Sequence, residues 1–146
     1  MFTDSVKAKG NLRILVKDNA GGLKEDRKVE NLVVTIGKNH IANRLTSNAN
    51  VIMSHMAIGA SNTSATVSQT TLGSELARVT LDSTALDNAT ATYTATFGAG
   101  VGTGTLTEAG IFNSGSTGVM LCRTNFNAVN KAAGDTVVIT WNVTIS

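Results

Sequence analysis

Proline, cysteine, aromatic residues and charge are all scarce in this chain of 146 residues. It has no proline and one cysteine, Cys122, so an intrachain disulfide is excluded. Because Cys122 lies in the apolar segment VMLCRT, we interpret it as a small buried side chain. Charged residues make up 15%, against about 25% in an average protein, so uncharged polar groups have to cover much of the surface.

Long apolar runs and metal-binding clusters are missing as well. No segment approaches the roughly 18 apolar residues that a membrane-spanning helix needs, and the start MFTDSVKAKG does not have the pattern of an export signal. We therefore expect no membrane association. The two histidines, His40 and His55, lie in no cluster with metal-ligand spacing, so we expect no metal and no cofactor. We interpret His40 as a surface residue of a helix and His55 as a core residue.

Threonine supplies most of the uncharged polarity, with 21 copies. A β-branched residue with a hydroxyl group suits a strand that has one face in water. Two segments sort threonine and apolar residues onto opposite faces with a period of two, ATATYTATF at 89–97 and TVVITWNVTI at 136–145. The second segment is longer than the usual strand of about 5–6 residues, and we expect it in the middle of a sheet.

The first part of the chain predicts a hairpin followed by a helix. NLRILVK at 11–17 and KEDRKVENLVVTI at 24–36 alternate as strands do, and the turn sequence DNAGG lies between them. The spacing of Ile41 and Leu45 then predicts one short helix over about residues 38–47.

The middle of the chain predicts strands separated by a long loop. The apolar run VIMSHMAIG at 51–59 is typical of a buried strand. The uncharged segment at 60–71 is typical of an exposed loop. LGSELARVTLDS, which follows, is expected to open with one helical turn before a strand over 77–81.

These segments give seven to nine strands and one helix, without βαβ alternation and without an internal repeat. The sequence therefore predicts a mainly β fold, an antiparallel β-sandwich or jelly roll. At this length one domain over residues 1–146 is expected, with residues 1–9 as a possible N-terminal arm. The absence of proline means that sheet edges have to be protected by charge, by loops or by a neighbouring subunit.

Positive charge is concentrated in the first half, where residues 1–73 hold nine Lys or Arg and five acids. Lys7, Lys9 and Arg13 alternate with apolar residues, and no aromatic residues accompany them for stacking on bases. We therefore do not expect nucleic-acid binding. These residues either form a solvated strand face or contact an acidic protein surface, and we take Lys7, Lys9 and Arg13 as candidate partner-binding residues.

The glycine run GAGVGTG at 98–104 invites comparison with a phosphate-binding loop. It lacks the following Lys-Ser/Thr of a P-loop and the spacing G-x-G-x-x-G, and no helix is expected after it. We interpret it as a connection between two threonine-rich strands.

One acidic residue, Glu108, lies inside a predicted strand. A catalytic carboxylate needs a partner, and the second half offers no active-site motif around its few other acids. A hairpin centred on the turn at 113–118 would instead place Glu108 directly opposite Arg123, where opposite charges attract. We therefore predict a structural cross-strand pair and no enzyme activity.

The same region carries motifs typical of one protein family. Residues 107–113 read TEAGIFN, residues 120–124 read MLCRT, and residues 135–141 read DTVVITW. Further segments fit the same pattern, namely NLVVT at 31–35, GKN at 37–39, MAIG at 56–59 and LGSELAR at 72–78, together with Phe126 and Lys131. Over most of its length the chain resembles small virion proteins of tailed bacteriophages, in particular capsid decoration (cement) proteins.

This resemblance implies a structural protein made in the bacterial cytoplasm. Such a protein binds the outer surface of the virion shell at junctions between major capsid subunits and stabilises the mature head. We expect a homo-oligomer, a dimer or a trimer, with contacts through threonine-rich faces and proline-free edges. A related EAG(I/L)F hairpin also occurs in phage tail-fibre and collar proteins, so a tail, baseplate or fibre component that binds a receptor is the alternative.

Overall fold

The computed structural model describes residues 4–47 and 51–146. These residues form one helix, α1 (Thr35–Thr46), and nine strands: β1 (Ala8–Lys17), β2 (Leu23–Val33), β3 (His55–Gly59), β4 (Glu75–Thr80), β5 (Ser83–Asp87), β6 (Thr90–Phe97), β7 (Gly104–Phe112), β8 (Met120–Lys131) and β9 (Thr136–Ile145). The predicted mainly β fold with one short helix is confirmed.

All nine strands belong to one antiparallel sheet, in the order β4-β3-β7-β8-β2-β1-β9-β6-β5. β9 lies between β1 and β6, which confirms the prediction that this long strand is internal. The glycine run joins β6 to β7, as expected of a connection between strands.

The sheet is curled into two layers because its strands change partners at both sides. On one side, β2 pairs with β1 through residues 23–31 and with β8 through Leu32 and Val33. On the other side, the chain passes from edge strand β4 directly to edge strand β5. There the amide of Leu81 donates to the carbonyl of Ser54 at 2.9 Å, and the next amide, of Asp82, donates to Thr94 at 2.7 Å. The chain therefore passes from one layer to the other between the end of β4 and the start of β5.

One apolar core lies between the two layers. Ile14, Phe97 and Trp141 enter it from one layer, and Met56 and Ile111 enter it from the other, each with 0% exposure. Cys122 belongs to the same core, so the prediction of a buried thiol is confirmed. Each large apolar side chain removed from water stabilises the fold by about 1.5–3 kcal/mol before the cost of ordering the chain.

A second, smaller apolar cluster lies on the other face of the layer formed by β3, β7 and β8. Because successive strand residues point to opposite faces, Ala57 faces away from the core that Met56 and Ile58 enter. We call the face of β3, β7 and β8 that points away from the core the outer face. Leu72, from the long loop after β3, covers it, and the Arg78 guanidinium lies 3.7 Å from the Phe112 ring centre. The outer face is thus closed by a loop and not by a second sheet.

Threonines on the outward side of β6 and β9 bond across the strands. The hydroxyls of Thr90 and Thr144 are 2.8 Å apart, and Thr92 donates to the side-chain oxygen of Asn142 at 2.8 Å. The prediction from the alternation of ATATYTATF and TVVITWNVTI is confirmed: the apolar face of these strands points inward, and the polar face points outward and is hydrogen-bonded.

The helix begins at Thr35, three residues earlier than predicted, and packs closely on β8. A Cβ atom on Gly37 would lie 2.1 Å from the carbonyl oxygen of Leu121, so only glycine permits this approach. The buried residues of the helix are Gly37 and His40, whereas Leu45 is 83% exposed. The prediction that His40 is a surface residue is therefore wrong, because the helix packs mainly through Gly37 and His40, with Ile41 partly buried beside them, and not through Leu45.

Three further predictions are corrected by strand pairing. β3 begins at His55, so residues 51–54 precede the strand. His55 is half-buried and bonds to the hydroxyl of Ser54 at 2.8 Å, so it is not a core residue. No helical turn precedes β4, which starts at Glu75 because Glu75 already pairs with Gly59 of β3.

Replacing Gly37 by alanine should destabilise the fold. The added methyl group would collide with a backbone carbonyl, so α1 would have to move away from β8, and overpacking of this kind costs about 1–3 kcal/mol. We expect that loss in the free energy of unfolding measured by urea denaturation. Gly98→Ala is the control, because an added Cβ there has no neighbour within 4 Å. Equal stability of Gly37→Ala and wild type would contradict the close contact.

Candidate functional site

Glu108 of β7 and Arg123 of β8 form an ion pair on the outer face, and both side chains are 0% exposed. Oε1 of Glu108 accepts from Nη2 of Arg123 at 2.9 Å and from the amide of Gly73 at 2.8 Å. Oε2 accepts from the amides of Ser61 at 2.9 Å and Ser74 at 2.7 Å. The carboxylate is therefore surrounded by donors, three of which belong to the backbone of the long loop after β3.

The guanidinium of Arg123 is also fully hydrogen-bonded. Besides its two bonds to Glu108, its guanidinium donates to the side-chain oxygens of Gln69 at 3.0 Å and Asn125 at 3.1 Å and to the carbonyl of Thr63 at 2.9 Å. These five bonds use all the N–H groups of a guanidinium. A buried charge without partners is very costly, and here the complete set of partners removes that cost.

The loop over residues 60–74 is held in place by this pair and by Gln69. The side-chain oxygen of Gln69 also accepts from the amide of Thr66 at 3.0 Å, and its Nε2 donates to the carbonyl of Ser64 at 3.1 Å. The amide of Thr35 at the start of α1 donates to the carbonyl of Val67 at 2.8 Å. The predicted exposed loop is therefore fixed to both the sheet and the helix.

Gly59 makes room for this arrangement. A Cβ atom there would lie 2.4 Å from the carbonyl oxygen of Ser74 and 2.6 Å from Oε2 of Glu108. The glycine of MAIG and the glutamate of TEAGIFN thus lie in contact with each other.

The register predicted for the β7–β8 hairpin is wrong by two residues. Glu108 pairs with Asn125, and Arg123 pairs with Gly110. The turn closes with Phe112 opposite Met120, and a bulge between Ile111 and Phe112 adds a second residue to the offset. Glu108 and Arg123 still meet because they are diagonal neighbours on one face, within reach of long side chains.

Burial alone would raise the pKa of Glu108, but the amides of Gly73, Ser61 and Ser74 and the Arg123 guanidinium together hold its pKa below the ordinary value. The carboxylate is therefore ionised at neutral pH. The carboxylate of Glu108 is inaccessible to solvent, and both of its oxygens accept hydrogen bonds. It therefore cannot accept a proton from a substrate. Its geometry supports a structural role.

A second set of ionisable side chains holds the turn before β9. Burial lowers the pKa of Lys131, whose ammonium donates to the carbonyl of Gly98 at 2.8 Å. Asp135 accepts from the ammonium of Lys24 and from the amide of Ala132, and these donors lower its pKa. Within residues 4–47 and 51–146, no group of three or more His, Cys, Asp or Glu side chains is placed to hold a metal ion. In the same residues, no helix has the length and apolarity that crossing a membrane requires.

The three predicted partner-binding cations lie in two different places. Arg13 bonds to Asp26 at 2.7 Å on the polar face of β1 and β2. Lys7 and Lys9 lie at the far end of β1, where the amide of Lys7 donates to the carbonyl of Ser146 at 2.6 Å. Lys9 is part of β1 and Lys7 is bonded to Ser146, so neither belongs to a separate arm. Residues 1–3 of the predicted arm lie outside the described residues.

An exposed apolar surface lies at this same end of the molecule, and sequence reasoning did not find it. Leu45 of α1 and Leu86 of β5 are 83% and 77% exposed, and Val6 and Ile52 are also exposed. They border two adjoining grooves of about 610 and about 600 Å³, which share Ile41, Leu45 and Ile145. We call the residues that line these two grooves the end surface: Val6, Lys7, Ala8, Lys9, Lys38, His40, Ile41, Ala42, Arg44, Leu45, Ile52, Met53, Leu86, Asn88, Ala89, Ala91, Tyr93, Leu121, Val143 and Ile145.

A partial signal for the end surface was present in the sequence. Gly37, His40 and Ile41 have the spacing i, i+3, i+4 of one helix face, and Leu45 continues this face one turn further on. The structure buries the start of the face, Gly37 and His40, and partly buries Ile41 against the core. Leu45, at its end, is left at the surface.

Replacing Glu108 by glutamine should destabilise the protein strongly, because Arg123 would stay buried without a counter-charge. Loss of one partner of a buried pair costs about 3–5 kcal/mol. We expect a loss of this order in urea denaturation, and faster hydrogen exchange at the amides of Ser61, Gly73 and Ser74. Asp26→Asn, which removes the acid of the exposed pair with Arg13, is the control and should change stability little. A Glu108→Gln variant as stable as wild type would contradict the structural role.

Low pH should weaken the contribution of the Glu108–Arg123 pair to the stability of the fold. Glu108 has a lower pKa in the folded protein than in the unfolded chain, where a glutamate titrates near about 4.3. Its stabilising effect is thus complete above that pH and is lost as the pH falls through the folded-state pKa. We expect the difference in unfolding free energy between wild type and Glu108→Gln to narrow below about pH 4. A difference that stays constant in a denaturation series from about pH 7 to about pH 3 would contradict this.

The Glu108–Arg123 pair and the end surface are thus the two features from which a function can be argued. The first organises the fold, and the second is available for contacts. Comparisons of the chain with protein-family models, with curated proteins and with solved structures found no match.

Proposed function

We propose that this chain is a structural protein of a tailed-bacteriophage virion, a decoration protein that binds the outside of the capsid at junctions between major capsid subunits. The observation that carries the proposal is the end surface, where the three most exposed large apolar side chains of the described residues, Val6, Leu45 and Leu86, lie together. Exposed apolar patches of this kind are typical of contacts with other proteins. The resemblance of the chain to cement proteins supplies the identity of the partner.

The interior supports a binding role and not a catalytic one. Five of the ten carboxylate residues are in ion pairs, and the most deeply buried, Glu108, organises a loop. The TEAGIFN and MLCRT motifs lie in β7 and β8 and provide that pair, so they act as scaffold residues. We therefore propose that the protein catalyses no reaction.

A rigid small domain suits the stabilisation of a shell. A protein that binds the expanded shell and not the precursor shifts the balance toward the expanded state by mass action. Many copies, each touching two or more capsid subunits, add avidity without further contacts. We also propose that the protein acts as a dimer or trimer, with contacts through the threonine-rich face of β6 and β9 or the edge strands β4 and β5.

The proposal predicts that the purified protein raises the melting temperature of expanded shells that lack it. Saturating protein, at about 100 times its dissociation constant, should stabilise each site by about 2.7 kcal/mol. Differential scanning calorimetry of shells with and without the protein measures this. Precursor shells are the control, and we expect a smaller change for them.

Cryo-electron microscopy of the same particles then places the protein. Density on the outer shell at subunit junctions agrees with the proposal. Density only in the tail or baseplate, together with adhesion of the isolated protein to host cells, would replace it with the receptor-binding alternative. Absence of the protein from particles would contradict both.

A further inference from the structure

We infer that the end surface is the capsid-binding site and that its occupant is an apolar segment of the major capsid protein flanked by carboxylates. This inference rests on the proposed function for the identity of the partner. Its physical basis lies in the shape and the charge of the two grooves.

The first groove provides the apolar part of the site. Its walls are α1, through Ile41 and Leu45, and the β5–β6 hairpin, through Leu86 and Tyr93. The groove is about 610 Å³ in volume, the size of a pocket that takes several side chains. A segment with two or three apolar side chains fits these dimensions.

The second groove provides the charge. Among the residues that line the two grooves there are four cations, Lys7, Lys9, Lys38 and Arg44, and no aspartate or glutamate. A surface with this composition attracts carboxylates and rejects cationic segments. Leu45 lines both grooves, so one short segment that lies over it can contact the apolar walls of the first groove and the lysines of the second.

A second copy of this chain is a poorer occupant. The chain has a net charge of +2, and five of its ten acids are already in ion pairs with its own Lys or Arg. The most exposed apolar side chains of the described residues, Val6, Leu45 and Leu86, belong to the cationic end surface itself. Two such surfaces would repel each other.

An anionic lipid surface is the other class of partner that combines positive charge with apolar side chains. A lipid surface is contacted by an apolar face that protrudes into it. Here Leu45 and Leu86 line a groove together with Ile41, which is partly buried against the core. The shape therefore favours a protein segment.

Two single substitutions and their matched controls test the inference. Leu45→Glu and Lys38→Glu change the end surface, while Leu23→Glu and Lys17→Glu make the same changes at the opposite end of the β1–β2 hairpin. All four positions are exposed, so each variant should fold, which circular dichroism checks. We expect Leu45→Glu to weaken binding to expanded shells about tenfold or more, Lys38→Glu to weaken it less, and the two controls to bind like wild type.

Photo-crosslinking identifies the occupant. Benzoylphenylalanine placed at Leu45 should cross-link to the major capsid protein, and mass spectrometry should find a peptide with apolar residues beside Asp or Glu. The same amino acid placed at Leu23 is the control. Sedimentation with vesicles of phosphatidylcholine and phosphatidylserine tests the lipid alternative, and we expect no binding.

Each outcome distinguishes the inference from the proposed function. If wild type and Leu45→Glu bind shells equally well, the inference is wrong while the decoration role stands. Cross-links to a second copy of this chain, or vesicle binding that Leu45→Glu abolishes, would likewise overturn it. If wild type does not bind shells, the proposed function fails, and the inference fails with it.

Discussion

The buried pair between Glu108 and Arg123 is the interaction on which the rest of this structure depends. Both charges are buried, where neither could remain without a partner. Backbone groups of the loop over residues 60–74 donate to the carboxylate of Glu108 and accept from the guanidinium of Arg123. That loop covers the outer apolar cluster through Leu72 and contacts the start of α1 through Val67. The position of the helix, and with it the shape of the end surface, is thus connected to two residues of one hairpin. A pair without solvent access is suited to such a task because it accepts only one arrangement of its partners.

The surface of the molecule follows from its low charge. Threonine hydroxyls on β6 and β9 bond to each other or to asparagine, so this face is polar without many ions. The two edge strands, β4 and β5, follow each other in the chain and are short, with six and five residues. Short edge strands limit pairing with other chains, which is one way for a sheet without proline to protect its edges.

The regular parts of the fold could be predicted from the sequence, because a period of two reports directly which face of a strand is buried. TVVITWNVTI and ATATYTATF are the clearest cases. The part of α1 that packs most closely could not be predicted, because it depends on how closely Gly37 approaches the Leu121 carbonyl, a tertiary contact that the helix sequence does not determine. The hairpin register failed for a related reason, since a bulge at Ile111 shifts the pairing without changing the alternation nearby. The partners of Glu108 lie 34 to 47 residues away in a loop of low complexity, so only the meeting of charges could be foreseen.

The position of β1 inside the sheet affects how the chain folds during translation. β1 precedes the other described strands in the chain, yet one of its two neighbours in the sheet is β9, the last of them. The middle of the sheet therefore stays incomplete until β9 has been synthesised, and pairing between such distant segments is slow. Until then the apolar faces of β1 and β6 lack their common neighbour, so a nascent chain of this design gains from a chaperone or from low expression temperature.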